Sequence, residues 1–304
     1  MIVADLSPAE FRHKLRKSGL RIRVGPIVAE VRSRFDVVES AIGLHYGAHE
    51  LVGRDEFADF HVSVEAPPGL RRWLKPQAIF CFDGDPPFKP LDATQAFAVL
   101  EWGLNWCVAS HCHQYLVIHA AVIERRGRAL ILPAPPGSGK STLCAALVAR
   151  GWRLLSDELT LVDVASGNIV PLPRPISLKN QSIASISEFW QQSIMSPVIH
   201  ETLKGSVTHV RPPVESVRCA AEMARPGWIA IPRYRQSHRT ELVALSKAAA
   251  FMQLVDNAFN YGVHGQRGFE VLADVTAASE CFEFTYGGAL DEAVEAFDAL
   301  AARS

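Results

Sequence analysis

Ala129-Leu130-Ile131-Leu132-Pro133-Ala134-Pro135-Pro136-Gly137-Ser138-Gly139-Lys140-Ser141-Thr142 holds the most informative chemistry in the chain. An apolar run enters it. A short amphipathic segment, residues 143–150, leaves it and stops at Gly151. Between them, Ala134-x-x-x-x-Gly139-Lys140-Ser141 has the spacing of a phosphate-binding P-loop, with Ala in place of the usual first Gly. Glycines in such a loop let backbone N–H groups turn inward around phosphate oxygens. A helix beginning at the lysine adds the positive end of its dipole. Pro136, Gly137, Ser138, Gly139, Lys140, Ser141 and Thr142 are therefore the expected nucleotide cradle. Lys140 reaches the β and γ phosphates, and Ser141 offers its hydroxyl to Mg²⁺.

The flanking sequence sets the context. Upstream, Tyr115–Ile123 reads as one apolar strand. With the charged turn Glu124–Arg128 and the run Ala129–Leu132 it forms a hairpin that feeds the loop. Downstream, Leu154-Leu155 is a short strand followed at once by Asp157-Glu158. A P-loop needs an acid at the end of a neighbouring strand to complete its metal site, and two adjacent carboxylates can divide metal binding and proton acceptance. One of Asp157 and Glu158 is expected to take the proton, and the pair, with Ser141, to hold Mg²⁺. Burial pushes the Asp157 pKa up while Lys140 and Mg²⁺ pull it down, an opposition the sequence leaves open. His119, in an apolar strand, is more often a core residue by type.

The order His119-Ala120-Ala121, hairpin, Gly137–Thr142, short helix, Gly151-Trp152-Arg153-Leu154-Leu155-Ser156-Asp157-Glu158 resembles the catalytic segment of the HPr kinase/phosphorylase family over about residues 116–165. The resemblance implies an α/β fold: a P-loop core of the HPr kinase and phosphoenolpyruvate carboxykinase type with an N-terminal α/β lobe. It implies Asp157 as the catalytic base and His119 beside it, tuning its proton transfer. Glu158 stands where the family usually has a second Asp, and assists Mg²⁺. No Arg-Gly-x-Gly segment follows the core, so the resemblance is to the divergent HPr-kinase-related branch and does not imply HPr as substrate. Basic residues beyond the core are expected to complete the clamp on the γ-phosphate, with Arg174, Lys179, Lys204 and Arg233 as candidates.

The remaining sequence bounds the answer. At 304 residues the chain fits a lobe over 1–112 and a kinase domain over 113–304. Lys plus Arg is 31 against 32 Asp plus Glu, so no basic field suits nucleic acid. No apolar run suits a membrane span, and the first twenty residues do not read as a secretory signal. The six scattered cysteines lack a CxxC pair, which suits free thiols in a reducing cytoplasm. Cys107, His111, Cys112 and His113 read as a helix terminus with buried thiols rather than as a metal site. The first third mixes strands with a helix over 92–111 capped by Asp92, and nothing in it announces chemistry. Further on, Lys204–Pro213 reads as loop or edge strand, and Pro232 puts Trp228–Tyr234 at an edge or a bulge. The expected function is ATP-dependent transfer of the γ-phosphoryl group to a serine-type hydroxyl of a peptide, protein or small molecule. The alternative is a P-loop NTPase or nucleotide-binding regulator without an acceptor. Expected partners are ATP with Mg²⁺ and that acceptor, with no nucleic acid and no membrane; a homo-oligomer is compatible.

Overall fold

The computed structural model describes residues 1–69 and 75–303. Its N-terminal part is a five-stranded sheet ordered β1 (Leu20–Val24), β2 (Ile27–Ser33), β3 (Phe60–Glu65), β4 (Gln77–Phe82) and β5 (Leu91–Asp92). Among the described residues three α-helices accompany it: α1 (Pro8–His13), α2 (Asp36–His45) and α3 (Ala96–His111). β1 and β2 are the two arms of an antiparallel hairpin. Gly25 turns it with a positive φ of 55°, and a Cβ there would collide with the Pro171 carbonyl. The α3 helix starts where the sequence places it. The Asp92 carboxylate accepts the Thr94 N–H at 2.9 Å and opens a 3₁₀ turn that leads into the helix. Phe97, Leu100, Leu104, Cys107 and Val108 fix α3 in the N-terminal core. Burial pushes the Cys107 and Cys112 thiols up to about 12, so both stay protonated.

The apolar run from Tyr115 is two strands, β6 (Tyr115–Ile118) and β7 (Ala120–Arg125), broken at His119 and belonging to different sheets. The break is held from outside: the His119 N–H donates to the Asn257 carbonyl at 2.7 Å. After β7 come β8 (Arg128–Pro133), α4 (Lys140–Ala149), β9 (Arg153–Ser156), β10 (Thr160–Asp163) and β11 (Ile169–Val170). The small sheet β11-β10-β6 is a shared wall. Val117, Leu161 and Val170 face the N-terminal core, while their chain neighbours Leu116, Ile118, Val162 and Ile169 face a C-terminal core. This is the period-two alternation of a strand buried on both faces.

A second small sheet, ordered β12-β14-β13, joins β12 (Ile176–Lys179), β14 (Gly205–Val210) and β13 (Ile199–Thr202). Residues 205–210 are thus its central strand, not loop or edge. The main sheet has six strands ordered β16-β17-β15-β8-β7-β9, with β15 (Arg225–Tyr234), β16 (Glu241–Ala244) and β17 (Glu280–Tyr286). The helices α5 (Gln181–Phe189), α6 (Val214–Arg218), α7 (Lys247–Asn257), α8 (Tyr261–Ala278) and α9 (Leu290–Ala302) complete the described chain. Despite Pro232, β15 is interior. Its pairing with β8 ends at Ile229, and Pro232 lies beyond, where no neighbour on that side needs its missing N–H.

The direction of these strands builds one end of the molecule. β8, β15 and β17 are parallel, so their carboxyl ends share an edge of the sheet. β7 runs against β8, so its start lies at the same edge, with Ala120 opposite Pro133. β9 runs against β7, which brings its end there too, with Ser156 opposite Val122. Five segments far apart in sequence therefore converge: His119, loop 134–139, Asp157-Glu158, Tyr234 and Tyr286. In open α/β sheets this end is where ligands bind.

Candidate active site

The loop between β8 and α4 is shaped by two glycines with positive φ, 86° at Gly137 and 91° at Gly139. Gly139 is required twice over. A Cβ there would strike the Tyr286 hydroxyl, and that hydroxyl donates to the Gly139 carbonyl at 2.9 Å. The Tyr234 N–H donates to the Ser138 carbonyl at 3.1 Å, and the Tyr234 ring meets Tyr286 edge-on at 5.5 Å. The loop is thus pinned from the ends of β15 and β17. From the other side α4 anchors it. Leu143 and Leu147 are fully buried, each contributing about 1.5–3 kcal/mol, so Lys140 and Ser141 on its first turn sit on a fixed base.

Lys140 is buried, and its ammonium donates to the Ala134 carbonyl. Burial lowers its pKa to about 8, with Asp157 and Glu158 pulling the other way. Asp157 is buried as well. Its Oδ2 accepts the Ser177 N–H at 3.0 Å, and its Oδ1 has no partner. Burial raises its pKa to about 6, helped by the neighbouring Glu158 charge and opposed by the Ser177 N–H and by Lys179. Glu158 goes the other way. Burial opposes its charge, but Lys179, Lys204 and Arg174 outweigh it and the pKa is lowered. Lys179 reaches Glu158 at 3.5 Å, and the Asn105 amide donates to the other carboxylate oxygen.

A cavity of about 1060 Å³ lies over these groups. Its walls include the whole loop from Pro135 to Thr142, Asp157, Glu158, His119, Lys179, Lys204, Tyr234 and Tyr286. The glycine-shaped loop, both carboxylates and His119 therefore face one space. His119 is half-buried, and burial lowers its pKa to about 4 with Lys140 adding to the effect, so it is neutral near pH 7. Its ring lies 5.9 Å from that of Phe259, and no hydrogen bond joins it to Asp157 among the described residues. Of the four expected clamp residues, Lys179 and Lys204 line the cavity. Arg174 does not; it is buried behind the carboxylates, bound to Glu101 and Asn105. Arg233 is wrongly placed in the clamp. It is exposed and paired with Glu283 at 2.8 Å, because side chains alternate along β15 and its neighbour Tyr234 takes the inward place.

The first third of the chain is not silent after all. Asn105, Trp106, Ala109 and Ser110 of α3, with His113 beyond it, form a wall of the cavity. Sequence reading missed Asn105, Ser177, Tyr234 and Tyr286. The only signal for any of them is that Tyr234 and Tyr286 each end an apolar run, which marks a strand end and no more.

The donors present fit Mg²⁺ in kind: a free carboxylate oxygen on Asp157, a second carboxylate and a hydroxyl, all hard oxygen ligands. Among the described residues no cluster of three or more His, Cys, Asp or Glu could hold a metal ion by itself. No helix among the described residues is long and apolar enough to cross a membrane.

A family model described as "SynChlorMet cassette protein ScmC" matches residues 95–195, which include all of α3, the loop and both carboxylates. That is about a third of the chain. No curated protein matches. Among solved structures the chain is similar to the Hpr(Ser) kinase/phosphatase from Coxiella burnetii. The identity is 11%, over 62% of this chain and 99% of that one, and the TM-score is 0.28. So loose an overlap transfers neither fold nor activity.

Proposed function

We propose that the protein is an ATP-dependent, HPr-kinase-like phosphotransferase acting on a hydroxyl acceptor, with residues 134–142 as a P-loop. One observation carries the reading: a buried carboxylate with a free oxygen, Asp157, shares a single cavity with a glycine-shaped loop and the buried Lys140. The backbone of 136–142 and Lys140 would hold the phosphates of ATP, while Lys179 and Lys204, which line the same cavity, add positive charge. Ser141, Asp157 and Glu158 would hold Mg²⁺, which enters with the nucleotide because the protein ligands are too few to cage it alone. When bound, Mg²⁺ supplies neutralisation of phosphate charge.

The acceptor hydroxyl gives its proton to Asp157. Its oxygen bonds to the γ-phosphorus, the bond from that phosphorus to the bridging oxygen breaks, and the nucleoside diphosphate leaves. A base with a pKa near 6 is ionised at neutral pH and still takes a proton readily. The neutral His119 imidazole can donate or accept one hydrogen bond beside the reacting groups. The cavity, at about 1060 Å³, is at the top of the usual range for one small ligand, which leaves room for an acceptor beside the nucleotide.

Incubation with γ-labelled ATP, Mg²⁺ and an extract from a strain lacking the gene tests the reading. Label is expected on an acceptor with the wild type and not with Asp157→Asn. Equal labelling by Lys140→Ala would remove the phosphate-loop assignment. ATP consumed with no labelled acceptor would favour the NTPase alternative.

A further inference from the structure

Glu158 is held from the N-terminal part of the molecule by a continuous chain of hydrogen bonds, buried at its far end and half-buried at Asn105 and Glu158. The Tyr46 hydroxyl donates to Glu101 Oε1 at 2.6 Å. Arg174 Nη2 donates to Glu101 Oε2 at 2.7 Å and to the Glu101 carbonyl at 2.8 Å. Arg174 Nη1 donates to Asn105 Oδ1 at 2.6 Å, and Asn105 Nδ2 donates to Glu158 Oε2. Tyr46, Glu101 and Arg174 are all buried.

The chemistry fixes the order of this chain. A guanidinium has donors only, so it takes the amide oxygen of Asn105 and leaves the NH₂ for Glu158. Asn105 cannot flip without setting its NH₂ against the guanidinium and its oxygen against a carboxylate. Arg174 is itself constrained. It stands between Pro173 and Pro175, whose rings fix the backbone, and His49 Nε2 hydrogen-bonds the Pro173 carbonyl at 2.9 Å. A buried ion pair such as Arg174–Glu101 is a poor source of stability, since apolar residues of similar volume often serve as well. What it gives here is direction.

We infer that Asn105, aimed by Arg174 and Glu101, is a positioning residue for the carboxylate of Glu158, and that the N-terminal part of the chain thereby completes the divalent-metal site of the opposite part. This rests on the reading of Glu158 as a metal ligand given above. Outer partners of a ligating carboxylate orient it, and losing one typically weakens metal affinity about 10–100-fold.

The test is Mn²⁺ binding to the full-length protein in the presence of ATP, followed by electron paramagnetic resonance. ATP affinity without metal is measured in parallel, and thermal unfolding checks that each variant is folded. Asn105→Ala is expected to weaken Mn²⁺ at least about tenfold, with metal-free ATP affinity unchanged. Arg174→Lys, which keeps a charge opposite Glu101 but lacks the fork that also reaches Asn105, is expected to weaken Mn²⁺ in the same way. In a Glu158→Gln background, Asn105→Ala is expected to add nothing, because both act through one carboxylate. Normal Mn²⁺ affinity in Asn105→Ala, with weakened affinity in Glu158→Gln, would overturn the inference and leave Glu158 as a ligand. Full additivity of the two would overturn it too. Normal affinity in Glu158→Gln would instead remove the ligand reading, and the inference with it.

Discussion

Asp157 and Glu158 are neighbours in the chain but sit in two different regions of the molecule. Asp157 lies beneath β12, where its Oδ2 accepts a backbone N–H and burial raises its pKa to about 6. Glu158 points to the junction with α3, where Lys179, Lys204 and Arg174 outweigh burial and hold it ionised. Two carboxylates of nearly the same intrinsic chemistry are thus pushed apart, one toward proton exchange and one toward permanent charge. Environments that separate a pair of titrating groups in this way divide acid–base work from electrostatic work.

The division breaks most completely if the charge that faces both groups is removed. Lys140→Ala is expected to lower ATP-dependent turnover by about 10³-fold or more and to weaken ATP in calorimetric titration. The pH profile sharpens the comparison. A base must be deprotonated to act, so log kcat/KM should fall with unit slope as pH drops below about 6, the Asp157 value. That limb should vanish in Asp157→Asn and persist in Glu158→Gln. His119→Ala is expected to cost about tenfold, less than a general base, and little more when combined with Asp157→Asn, since residues acting as a unit are non-additive.

Stability should report the same asymmetry. The folded-state pKa of Asp157 lies above its unfolded value, so the native state binds the proton more tightly. The group therefore destabilises the fold above about pH 6 and ceases to do so below about pH 4. Asp157→Asn is expected to raise the unfolding midpoint at pH 8 by several degrees, about 2–3 kcal/mol, with the gain shrinking toward pH 4. Glu158→Gln, whose pKa moves the other way, should bring no such gain. The smallest effect belongs to Arg233→Ala, which should leave turnover within about twofold, as expected for an exposed ion pair.

What could be read from the sequence followed the range of the interactions involved. The loop at 136–142 is local: glycines, a lysine and a helix start within a few residues carry their own geometry. Asp157-Glu158 follows the next strand and could be found by counting elements. Their different fates could not, because the groups that separate them lie far off in the chain. Asn105 is 53 residues from Glu158, and Ser177 is 20 from Asp157. The clamp of Tyr286 on Gly139 spans 147 residues and exists only once β17 has packed parallel to β15. Pro232 misled because a proline rule speaks of neighbouring strands, and β8 stops before reaching it. His119 hid a strand break, since apolar residues on both sides masked a change of sheet.

The central claim is that Asp157 takes the proton in a phosphoryl transfer whose nucleotide is bound chiefly by residues 136–142. The most direct measurement sets ATP·Mg²⁺ affinity by calorimetry against turnover, in wild type and in Asp157→Asn. Asp157→Asn keeps the shape of the side chain and its bond to Ser177 but cannot take a proton. Affinity within a few-fold of wild type, with turnover down by at least about 10²-fold, is the predicted result. Turnover at the wild-type rate, with nucleotide bound normally, would contradict it.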